Sequence, residues 1–236
     1  MRKMFRPLTL PVFAMTLVLL ITAIGASASL TTYSTQASFN SATTGLTTQT
    51  FGFLSSTIPI GGEGLVNNSL NSATSNAFVS PGDIAAGLDI AALSNNGNDL
   101  ALLGPNFNGL GNTNYAVFAN YFGTGLQLTL SPGVTAVSMG ILSTATTHIQ
   151  VSIYSPSLAL LGSVTLLSTS SGSGTFLGVT SGSPIGSVIL TGPPQFISVG
   201  VDQVQFGSAV PEPGTLLLLG SGLLGTVGTL KKRLSW

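Results

Sequence analysis

The chain has 236 residues, 44% of them apolar and only 5% charged, with no cysteine. All six Lys and Arg lie at the two ends: Arg2, Lys3 and Arg6 at the front, and Lys231, Lys232 and Arg233 at the back. Residues 29–209 between them keep only Glu63, Asp83, Asp89, Asp99 and Asp202 as formal charges. A domain without cations neutralises no phosphates, which excludes nucleic acid as a partner. Without cysteine there is no thiol nucleophile and no thiolate metal site.

The first element, residues 1–28, reads as a secretory signal peptide. A basic Met1–Arg6 precedes the apolar run Val12–Ile24, and Ala26-Ser27-Ala28 fits the small-residue cleavage rule. Cleavage after Ala28 makes Ser29 the mature N-terminus.

Residues 29–209 then supply one exported domain, long enough for a single core. Apolar residues at period two mark half-buried strands. The alternation is clearest in Leu126–Leu130, Val137–Ile141, Thr147–Tyr154 and Ile197–Val201. Thr47–Leu54 adds a strand, and residues 61–111 read as long loops with short strands near Ala85–Leu93 and Asp99–Leu103. Thr175–Ser181 and Ile185–Leu190 complete the set, and no helix is predicted inside the domain. Ser131-Pro132-Gly133, Ser155-Pro156, Ser170–Gly174 and Pro193-Pro194 punctuate these runs at strand-length intervals. That pattern predicts an all-β fold, an antiparallel β-sandwich or jelly roll. After Val201 the apolar phase slips, because Val204 and Phe206 lie on the opposite parity. A bulge or tight bend at Asp202-Gln203 accounts for the slip.

The last segment, 210–236, begins Val210-Pro211-Glu212-Pro213-Gly214. An apolar run 215–230 follows, then the basic stop Lys231, Lys232 and Arg233. As a transmembrane helix that run covers about 24 Å, short of the ~30 Å hydrocarbon core, and four glycines weaken it. Pro211 and Pro213 hold the chain before it extended, the form a protease can engage.

The motif, the glycine-punctuated span and the terminal basic cluster together resemble the PEP-CTERM sorting signal. The resemblance implies recognition and processing by exosortase, a membrane protease of exopolysaccharide-forming Gram-negative bacteria. It makes Pro211, Glu212 and Pro213 a recognition element, not an active site. The protein is then exported, held transiently in the inner membrane, and passed to the cell envelope, the outer surface or the medium. Thr175–Ser181 and Asp202-Gln203-Val204-Gln205-Phe206-Gly207 are similar to the closing strands of β-sandwich ectodomains in PEP-CTERM proteins.

Catalytic material is sparse. His148 falls on the outer face of its strand with no acid nearby in sequence, so a solvated surface role is expected. Asp83, Asp89, Asp99 and Asp202 have the oxygen chemistry of a calcium site, with Asp99 and Asp202 the better pair. Turn formation alone explains Asn95-Asn96-Gly97-Asn98-Asp99. Tyr154 faces outward and is an aromatic candidate for a ligand. The expected function is therefore non-catalytic, with no required cofactor, in association with exopolysaccharide or with copies of the same chain. The alternatives are a glycan-processing enzyme and a calcium-dependent adhesin.

Overall fold

A computed structural model describes residues 30–67, 69–93, 100–120, 125–169, 174–193 and 198–210. The signal-peptide segment, Asp99, and the sorting segment with the span 215–230 lie outside the described residues, apart from Val210. Among the described residues no helix is long and apolar enough to cross a membrane.

Among the described residues thirteen strands form two sheets, and every pairing between them is antiparallel. In chain order they begin with β1 (Leu30–Tyr33), β2 (Thr43–Thr50), β3 (Glu63–Val66), β4 (Leu88–Ala92) and β5 (Leu100–Leu103). The middle set is β6 (Ala116–Ala119), β7 (Leu126–Leu130), β8 (Ala136–Ser143) and β9 (Thr147–Tyr154). The last are β10 (Leu160–Ser168), β11 (Thr175–Ser181), β12 (Ser187–Thr191) and β13 (Val199–Ala209). The first sheet runs β1-β11-β8-β13-β6-β5-β3, with β2 also paired to β13, and the second runs β10-β9-β12-β7-β4. The fold is all-β, antiparallel and sandwich-like.

Alternation explains the core. Ile149, Val151 and Ile153 are fully buried on β9, while His148 and Gln150 stay exposed. On β7, Leu126 and Leu128 turn inward. From the other sheet Val137, Met139, Ile141, Val199 and Val201 join the same apolar cluster. Each such side chain contributes about 1.5–3 kcal/mol by leaving water.

The bulge falls where the phase slip put it. Val201 pairs with Ile141, yet Gln203 already pairs with Gly140, so Asp202 is the extra residue. Both Val201 and Val204 thereby reach the core.

Three expectations are corrected. β8 is buried on both faces: on the outer side of the first sheet its Leu142 joins a second cluster with Ala101, Leu103, Ala116 and Phe118, against which Phe107 and Leu110 pack. The strand expected over 47–54 runs 43–50 and gives way to a 3-10 turn, Gly52–Ser56, which drives Leu54 into the core. A short helix, α1 (Gln36–Ser41), is also present. Thr35 caps it by accepting the Ser38 N–H, and Phe39 is its buried anchor. One turn and a half is too short to show a helical period.

Candidate functional site

The bulge in β13 builds the site. The extra residue turns the Asp202 carboxyl into a cleft of about 450 Å³ at the end of the first sheet. Thr50, Phe51 and Gly52 line one wall where β2 ends, and Thr113, Asn114 and Tyr115 line another just before β6. Pro105 and Gln203 complete the lining. The β2–β13 register sets Gln203 directly opposite Thr50.

Asp202 is only 4% exposed. Asn114 Nδ2 donates to its Oδ2 over 3.0 Å. Burial raises the carboxyl above its ordinary range, and the bonds from Asn114 and from the Asp202 and Gln203 backbone oppose that rise. The wall carrying Asn114 is itself braced. Buried Asn112 donates through Nδ2 to the Gly104 and Asn114 carbonyls at 3.1 and 2.9 Å. Tyr115 donates its hydroxyl to the Ile58 carbonyl over 3.0 Å, which fixes the ring at the cleft edge.

The lining offers hydroxyls, amides, an aromatic edge and a single carboxyl, with no cation. Such groups exchange hydrogen bonds with a neutral, hydroxylated ligand, and no cation is there to offset the charge of an anion.

The other sequence candidates are not gathered here. Tyr154 is half-buried at the end of β9 in the second sheet, opposite Leu160 and Ser187. Asp83 Oδ2 accepts the Ser80 N–H at 2.7 Å and closes a turn. Asp89 Oδ2 accepts from Ser69 Oγ and Asn71 Nδ2 at 3.1 and 3.2 Å, which pins the loop before β4. Among the described residues no three acidic or histidine side chains converge. Sequence reasoning missed Asn114, Thr113 and Thr50. The phase slip marks Asp202, but its amide partner is 88 positions away and belongs to no motif.

Comparison with known proteins adds the tail. Residues 209–233 match the family model of the PEP-CTERM protein-sorting motif. No curated protein matches the chain. Among solved structures, one similar chain is a family 6 carbohydrate-binding module whose binding sub-sites were dissected by crystallography and calorimetry. It is 15% identical with a TM-score of 0.31, over 61% of this chain and 95% of that one. Another is the module CsCBM6-3 from Clostridium stercorarium in complex with cellobiose, 22% identical with a TM-score of 0.28, over 41% and 76% of the two chains. Both scores are too low to make either a fold relative. The chain thus carries a PEP-CTERM protein-sorting motif at residues 209–233, directly behind the last strand of a two-sheet β domain.

Proposed function

We propose that this is an exported, non-catalytic protein of the envelope or extracellular matrix of a Gram-negative bacterium. Residues 1–28 deliver it, residues 210–236 hold it in the inner membrane, and an exosortase-like protease processes it there. The observation that carries this reading is the junction: β13 ends at Ala209, and the sorting motif spans 209–233. Everything beyond the sheet is then sorting sequence.

The cleft at Asp202 supports contact with an uncharged exopolysaccharide, since its lining has no cation, a single carboxyl and many neutral hydrogen-bonding groups. A hydrolytic role is disfavoured because glycoside hydrolysis ordinarily needs two carboxyls, and the lining supplies one.

The test is the intact mass of the protein recovered from its host's envelope and medium. A chain starting at Ser29 and ending within 211–214 is the expected result. A stable membrane form running through Trp236 overturns it. The polysaccharide reading is tested on the same material by binding to the host's own exopolysaccharide, which Gln203→Ala should weaken.

A further inference from the structure

We propose that β10 is the edge through which a second copy of this chain joins the sheet, antiparallel and about a two-fold axis at Val164. β10 closes one side of the second sheet, and among the described residues it pairs with β9 alone along its length until Thr169 bridges to Leu142. Long, uncharged edges invite pairing unless Lys, Pro or a short length guards them. Lys, Pro and short length are all absent from Leu160–Ser168, and its one irregularity, at Leu161, precedes the stretch from Gly162 to Leu166. The remaining edges differ: β1 and β3 have four residues each, β3 carries Glu63, and β2, which among the described residues pairs with β13 alone, is broken by a register shift around Gly45, whose φ is +61°. β4 has five, and Ile90 on it exchanges both backbone bonds with Leu70.

The chemistry of the edge selects the partner. Along an antiparallel strand, alternate residues turn both N–H and C=O to the same side. The Leu167 carbonyl turns away from β9 and accepts the Thr175 hydroxyl at 2.9 Å. Ser163 and Thr165 share its parity, so they present their backbone groups on the outer edge. These two residues are symmetric about Val164. A two-fold axis there sets Ser163 opposite Thr165 of the second copy and the reverse, each pair exchanging N–H···O bonds. On the inner face it sets the half-buried Val164 against its own counterpart, and Gly162 against Leu166. The edge is its own complement. No Asp, Glu, Lys or Arg lies between Asp99 and Asp202, so like charge in this part of the two copies does not oppose the approach.

This inference does not depend on how the tail is processed. The full chain has no cysteine, so single thiols report the register without background. Ser163→Cys and Thr165→Cys chains are purified in detergent, mixed and oxidised. Directly opposite residues lie about 5.5 Å apart, within disulfide reach. Like residues become diagonal neighbours about 7–8 Å apart, beyond it. The expected result is a cross-linked dimer from the mixture, its loss when either variant is oxidised alone, and its loss when the Ser163→Cys chain also carries Val164→Lys. The unmodified chain should sediment at twice its monomer mass as concentration rises. Equal cross-linking in mixed and separate samples, or a monomer at every concentration, overturns the proposal.

Discussion

Asn114 and Asp202 stand 88 residues apart in sequence, yet the Asn114 amide meets the Asp202 carboxyl at 3.0 Å and ties the loop before β6 to the bulge in β13. The bond is the main side-chain counterweight to burial of that acid.

It follows that stability depends on pH through this group. The native carboxyl holds its proton more tightly than the unfolded one, so the unfolded state loses its proton first as pH rises. Stability therefore falls across the window from the ordinary aspartate value up to the raised native one, and is level above it. Asp202→Asn should flatten that window in urea melts run from about pH 3 to about pH 8. An unchanged slope would assign the dependence to another group.

Removing the amide should do the converse. Asn114→Ala leaves a buried acceptor short of a donor, at about 1–3 kcal/mol. The loss should be larger at a pH above the raised range of the carboxyl, where it is charged, than at one below it. Melting the variant at both values checks it.

A second bracket holds the long loop segment before β4. Gln49 is buried, donates to the Thr50 and Asp83 carbonyls at 2.6 and 3.1 Å, and accepts the Ala85 N–H at 2.6 Å. Gln49→Leu strands those groups and should cost on the order of 2–3 kcal/mol. Limited proteolysis should then open the chain between β3 and β4 before the rest unfolds. Cleavage elsewhere first would refute the bracket.

Phe39 makes the strongest claim on packing. Tyr33 and Phe176 meet its ring edge-on at 5.9 and 6.3 Å, and a Cβ on Gly178 would lie 2.6 Å from its Cδ2. Phe39→Ala should cost about 3–5 kcal/mol, and Gly178→Ala about 1–3 kcal/mol. Because both changes act on one contact, the double variant should lose less than the sum. Additive losses in denaturant melts would show the two sites to be independent.

The parts of the fold legible in sequence are those with one wet face. β7 and β9 alternate because water covers one side, and the slip after Val201 survives because both flanking valines are needed in the core. β8 reads as half-exposed because nothing local reveals that its outward Leu142 packs beside Phe118, or that its outward Ser138 bonds Gln205. α1 is hidden because its anchor finds room only against Gly178, far along the chain. The cleft was half legible: the bulge marks Asp202, whereas Asn114 and Thr50 become neighbours only through strand pairing.

β13 carries a mechanical consequence. It lies inside the first sheet, paired with β2, β6 and β8, and its last residue adjoins the sorting segment. Val210 is still clipped to the Ala42 carbonyl at 2.9 Å. A pull from the C-terminal side therefore runs along the strand axis and loads the rungs of its ladders with β2 and β8 in shear, many at once. Pulled from the front, the chain would instead load β1, four residues at the rim with fewer rungs to share the force. Under the proposed function, load applied through residues 210–236 would reach the domain along its stiffer direction.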